Sequence, residues 1–151
     1  MAGTRSPVRG GKLIGSFQHQ LDEKGRLSLP AQFRRDATDQ RFVLVQASPP
    51  ALALYPEAEW MKVEERMETL MRDPAGRMWV LSVMSNAVEV VPDAQGRILV
   101  PAPLRAAAEL EGQALLVGAI AKVEIWNPAK FEEAMRNSAP AFHEYATEIF
   151  R

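Results

Sequence analysis

Asp22-Glu-Lys-Gly-Arg26-Leu-Ser-Leu-Pro30 returns further along the chain as Asp93-Ala-Gln-Gly-Arg97-Ile-Leu-Val-Pro101, an offset of 71 positions. Both stretches read D-x-x-G-R, then three mostly apolar residues, then proline. The match continues downstream with no net gap. Phe33 and Arg34 fall on Leu104 and Arg105, Leu44 and Val45 on Leu115 and Leu116, Tyr55 on Trp126, and Trp60 on Phe131. Two copies are too few for a solenoid. They point to an internal duplication folded about one pseudo-twofold core.

Each copy carries the same local signals. From Leu13 to Leu21, apolar residues alternate with Ser16, Gln18 and Gln20, the pattern of a half-buried strand. Asp22 to Gly25 is turn chemistry, because Asp accepts nearby backbone N–H groups and Gly tolerates positive φ. Arg26 to Leu29 reads as the returning strand, which Pro30 ends because it has no N–H to donate. A short helix over 31–37 and strands over 42–45 and 51–55 follow. A helix opens after Pro56, with Glu57 and Glu59 in its first turn and Trp60, Val63, Met67 and Leu70 along one stripe. The second unit repeats this with strands over 87–91, 97–100, 114–117 and 122–126, a short helix over 103–110, and a helix capped by Asn127-Pro128. Each unit is thus β-β-α-β-β-α, which argues for an α+β fold rather than a doubly wound parallel sheet.

The organisation expected is a disordered tail over 1–12, a first unit over 13–71, a connector helix over 72–85, a second unit over 86–137 and a C-terminal helix over 138–151. The tail holds Arg5, Arg9 and Lys12 and no acid, so an arm touching phosphates is the alternative reading there. The connector is apolar nearly all round, from Met78 to Met84. It is expected either to lie buried between the two units or to form part of a subunit contact.

Composition narrows the function classes. The 151 residues hold 47% hydrophobic and 25% charged residues and no Cys, so neither a disulfide framework nor a thiolate metal site can form. No apolar run approaches the length of a membrane span. A net charge of −1 argues against a strongly basic monomeric nucleic-acid binder, so such binding would need a local patch or many copies of a weak one. His19 and His143 lie far apart with no ligand spacing around them. An Asp22–Asp93 dyad sharing a proton is disfavoured, since each Asp has an Arg four residues on that holds it ionised. No phosphate-loop or nucleophile-elbow motif is present. No enzyme activity and no cofactor are expected.

The repeated stretch does offer a charged turn in which Asp can fix the direction of an arginine guanidinium, as bidentate recognition of phosphate or guanine requires. Residue type alone leaves open whether these pairs bind DNA or only brace the turns.

Gly15 to Arg34, the Leu54-Tyr-Pro and Glu59-Trp60 pieces, the second D-x-x-G-R stretch through Arg105, and Leu116-Val-Gly with Glu124-Ile-Trp126 closely resemble the MraZ family. The resemblance covers about residues 13–137. It implies an internally duplicated AbrB-like swapped-hairpin barrel with short flanking helices, and a bacterial regulator (a repressor) of the division and cell-wall gene cluster. It also implies a ring-shaped homo-oligomer, often an octamer, that binds double-stranded DNA upstream of its own operon in the cytoplasm, at the nucleoid. Carried over position by position, the DNA-binding residues would be Asp22, Lys24 and Arg26 in the first unit and Asp93 and Arg97 in the second. Arg34 and Arg35 are further candidate phosphate contacts. The tail before Leu13 is longer than the family's, and Ser48-Pro-Pro-Ala-Leu52 replaces a more polar loop. The alternative is a protein-interaction module such as an antitoxin-like AbrB-fold partner, which two fused units and a helical end disfavour.

Overall fold

The computed structural model describes residues 12–34 and 41–151. The tail over 1–11 and Arg35 lie outside the described residues. Within them the first unit contains β1 (Ser16–Gln20), β2 (Arg26–Ser28), a 3-10 turn (Ala31–Phe33), β3 (Phe42–Val45), β4 (Leu52–Pro56) and α1 (Glu57–Glu68). After α2 (Pro74–Met84) come β5 (Val88–Val90), β6 (Arg97–Leu99), α3 (Ala102–Ala107), β7 (Gln113–Gly118), β8 (Val123–Trp126), α4 (Pro128–Ser138) and α5 (Phe142–Ile149). The order of elements is the expected α+β order. Of the helix expected over 31–37, only the 3-10 turn falls within the described residues.

The strands pair across the duplication. Six of them form an antiparallel sheet in the order β1-β7-β8-β4-β3-β5, and β2 pairs with β6 in a separate two-stranded ribbon. Exchanging each strand for its repeat partner turns the six-strand order into its own reverse, which is what a pseudo-twofold axis between β4 and β8 requires. The registers agree, with Ala53 opposite Glu124 and Leu27 opposite Ile98, each pair separated by the repeat offset of 71.

Three expectations change. The strands flanking each D-x-x-G-R turn do not pair as a hairpin. β1 leaves for β7 and β5 for β3, and a single bridge, Leu21 to Leu27, joins the first two. Among the described residues the sheet does not close into a barrel, since its ladders run from β1 to β5 and stop. The repeat also slips locally. Leu44 faces Leu54 whereas Leu116 faces Ile125, so the counterpart of Leu44 is Leu116, at an offset of 72, not Leu115. One residue gained before β7 and one lost in the β7–β8 loop restore the register. A slip of one would otherwise turn every side chain to the opposite face.

The sheet has two packed faces. On one side Leu27 and Leu29 from the ribbon, with Ile98 and Val100, meet Phe42, Leu44, Leu52, Leu54, Leu116 and Ile125 in a fully buried core. On the other side Val43, Val45 and Ala53 meet Trp60 and Met67 of α1 and Val80 and Val83 of α2. Asp73 caps α2, its carboxylate accepting the Gly76 N–H at 2.7 Å, with Pro74 at the first helical position. The connector helix is not buried on several sides as an interior position would require. Met78 and Trp79 are 59% and 50% exposed, and Leu81 and Met84 also reach the surface. Leu70, expected on the stripe of α1, lies past the end of that helix and is exposed. No residue of α4 or α5 is fully buried.

Candidate nucleic-acid interface

The two D-x-x-G-R turns are built alike, bond for bond. In the first, Asp22 N–H donates to the Arg26 carbonyl at 3.0 Å and Gly25 N–H to the Asp22 carbonyl at 3.0 Å. Asp22 Oδ1 accepts the backbone N–H groups of Lys24 and Arg26, at 2.9 and 2.8 Å. Asp22 Oδ2 accepts Arg26 Nε at 2.7 Å. In the second, Asp93 Oδ1 accepts the N–H groups of Gln95 and Arg97, both at 2.9 Å, and Oδ2 accepts Arg97 Nε at 3.0 Å. One carboxylate therefore closes the turn with one oxygen and orients a guanidinium with the other.

The chemistry of the carboxylates follows. The Arg26 backbone N–H is the main cause that holds Asp22 below the ordinary carboxylate value of 3.8, with partial burial opposing it and the Arg26 guanidinium and Lys24 N–H adding to it. Asp93 is lowered in the same way, first by the Arg97 backbone N–H. Both remain ionised at neutral pH, so the pairing is constant there.

The ribbon decides where the arginines lie. Arg26 stands opposite Leu99 and Arg97 opposite Ser28, while Leu27 and Ile98 between them face the core. Side chains alternate along a strand, so Arg26, Ser28, Arg97 and Leu99 share the outward face. Arg26 and Arg97 are diagonal neighbours there, within reach of one another's long side chains. Each spends Nε on its own Asp. Among the described residues, the Nη groups of both have no hydrogen-bonding partner. Each leaves an Nη pair suited to a phosphate or to the O6 and N7 of a guanine.

The other candidates are placed differently. Lys24 is exposed at the first turn, where the second turn has the neutral Gln95. Arg34 is part-buried, its Nε donating to the Leu29 carbonyl at 2.9 Å, and its guanidinium lies against Gly96. Arg105, which the carry-over left out, does the same for the other unit: it donates to the Val100 carbonyl and covers Gly25. The signal was present in the sequence, since Arg105 is the repeat counterpart of Arg34. Among the described residues no group of three or more His, Asp or Glu side chains is placed to hold a metal ion, and no helix is long and apolar enough to cross a membrane.

Comparison with known proteins gives one consistent result. A family model described as "MraZ protein, putative antitoxin-like" matches residues 13–80 and again 83–151. The transcriptional regulator MraZ of Pediococcus pentosaceus is 39% identical over 137 residues, spanning 90% of this chain and 95% of that protein. Those of Thermoanaerobacter pseudethanolicus and Pelotomaculum thermopropionicum are 36% and 39% identical over 138 residues, covering 91% and 90% of this chain and 96% and 94% of theirs.

Proposed function

This chain belongs to the MraZ family, and on that premise we propose that it is a transcriptional regulator that binds double-stranded DNA through the outward face of the β2–β6 ribbon. The supporting observation is the pair of Asp-oriented arginines on that face, each with its Nη groups uncommitted among the described residues. Arg26 and Arg97 read the DNA, Asp22 and Asp93 aim them, and Lys24 adds a phosphate contact on the first side only. Arg34, part-buried against Gly96, makes no direct phosphate contact on this reading, and Arg35 is a further candidate phosphate contact.

The strand exchange between units supports the AbrB-like swapped-hairpin arrangement as the scaffold, with unit boundaries at 13–71 and 86–137. A net charge of −1 makes the phosphate term of one protomer small, so affinity comes from several protomers acting together. The protein assembles into a ring of about eight copies through exposed apolar surface that includes α2, and it acts as a repressor at the nucleoid. Its operator holds several evenly spaced direct repeats upstream of its own division and cell-wall gene cluster. Loss of Arg26 costs roughly 1–3 kcal/mol for each turn engaged on a guanine, and the loss multiplies over the repeats.

The test is a gel shift with duplex DNA from upstream of the chain's own gene. Deleting the repeats one at a time should weaken the shifted species stepwise. A fragment with no repeats bound equally well would refute sequence-specific recognition. Recovery of a small toxin in a pull-down, without any shift, would favour the interaction-module reading instead.

A further inference from the structure

Each Gly of the repeated turn is needed for two reasons, and the second comes from the other half of the chain. Gly25 and Gly96 sit at φ +85° and +79°, a region side chains rarely adopt. Both also lie under a guanidinium. A Cβ built on Gly25 would collide with Arg105 Nη1 and stand 2.6 Å from its Cζ. One built on Gly96 would stand 2.8 Å from Arg34 Cζ. The same arginines tie the strand that follows each turn across the pseudo-twofold axis. Arg105 Nη1 donates to the Val100 carbonyl, and Val100 N–H donates to the Gly25 carbonyl at 2.9 Å. In mirror fashion, Arg34 Nε donates to the Leu29 carbonyl, and Leu29 N–H donates to the Gly96 carbonyl at 2.9 Å. Gly25 adjoins Arg26, and Gly96 adjoins Arg97.

We propose that Arg105 and Arg34 are positioning residues acting across the duplication: Arg105 of the second unit holds the turn that aims Arg26, and Arg34 of the first unit holds the turn that aims Arg97. The consequence for DNA rests on the reading given under Proposed function; the brace itself does not. A planar guanidinium suits this place because it packs against a glycine of the other unit while donating to a backbone carbonyl of its own. The ammonium of a lysine would keep the charge but not do both at once. The arrangement makes the two halves of the DNA face mutually dependent, so neither turn is a self-contained module.

The full-length chain tests this through Arg105→Lys and Arg34→Lys, which keep charge and length, with Arg105→Ala and Arg34→Ala beside them. DNA affinity is read by fluorescence anisotropy on the upstream duplex. Arg105→Lys should lose about tenfold, as Arg105→Ala does, with the slope of log K against log salt unchanged. Combined with Arg26→Ala it should add nothing further, and combined with Arg97→Ala the losses should multiply. Arg34→Lys should show the opposite pairing. Rescue by lysine, with a slope reduced in Arg105→Ala by about 0.9, would make Arg105 a direct phosphate contact and overturn the proposal. Coupling of Arg105 to Arg97 rather than to Arg26 would overturn it equally.

Amide exchange in the absence of DNA gives an independent reading. Arg105→Lys should speed exchange at Lys24 and Arg26, whose N–H groups Asp22 accepts, and leave Gln95 and Arg97 unchanged. Uniform acceleration, or acceleration confined to the Gln95 and Arg97 side, would refute the brace. If Arg26→Ala bound DNA normally while the exchange pattern held, the DNA reading would fail and the brace would stand.

Discussion

An acidic residue beside each arginine proposed to meet DNA weakens the local positive field, and the geometry explains its presence. Asp22 uses one oxygen to close the turn and the other to hold Arg26 Nε at 2.7 Å, so the guanidinium points one way before DNA arrives. Asp22→Asn therefore should lower DNA affinity, by about tenfold, even though it removes a negative charge from the interface. A gel-shift titration decides, and tighter binding would mean that charge outweighs orientation. The same carboxylates link stability to acidity. Both have folded-state values depressed below 3.8, so their contribution is fully present above that value and is lost as pH falls through the lower folded values. Urea unfolding followed from about pH 6 to about pH 2 should show a shallower acid limb in Asp22→Asn with Asp93→Asn than in the natural chain. At this scale most of the site was readable from sequence, because turn chemistry is local: Asp, Gly and Arg at fixed spacing dictate the bonds seen. Arg105 was not assigned a role, because the glycine it covers lies 80 positions away and no local pattern reports that contact.

The ribbon formed by β2 and β6 joins the interface to the core. Leu27 and Ile98 are 0% and 1% exposed and lie opposite each other on the axis, directly beneath the arginine face. Leu27→Ala should destabilise the fold by about 2–5 kcal/mol, since it opens a cavity where two units meet. Chemical denaturation measures it, and a loss under about 1 kcal/mol would show that the site collapses freely. Element order and type were legible from periodicity and turn residues; the strands lie within a residue of their expected bounds except β1, which begins three residues after Leu13. Pairing partners were not. Adjacent strands joined by a tight turn ordinarily pair, and only the buried faces of both units together make β1 choose β7. For the connector helix, sequence left burial between the units and a subunit contact both open, for a related reason. Its composition is that of an interior helix, but only Val80 and Val83 meet the core of one chain, leaving Met78 and Trp79 uncovered. Trp79→Asp should leave the secondary structure intact by circular dichroism and lower the mass seen by light scattering. An unchanged mass would remove α2 from the subunit contact.

For the molecule as a whole, the duplication places two equivalent arginine forks about one axis, on a chain whose charges otherwise nearly cancel. One such protomer has little electrostatic hold on DNA, so the account depends on many weak, well-aimed contacts made together. The strand exchange suits this role: the ribbon carrying both forks is made half by each unit and rests on a shared core, so the forks keep a fixed relation. The most direct measurement is the binding of Arg26→Ala to duplex DNA from upstream of its own gene, with light scattering on the same sample. Loss of the shifted complex at unchanged mass is the outcome predicted. Normal binding by a fully assembled Arg26→Ala would contradict the account, leaving the Asp22–Arg26 pair a brace and the DNA surface elsewhere.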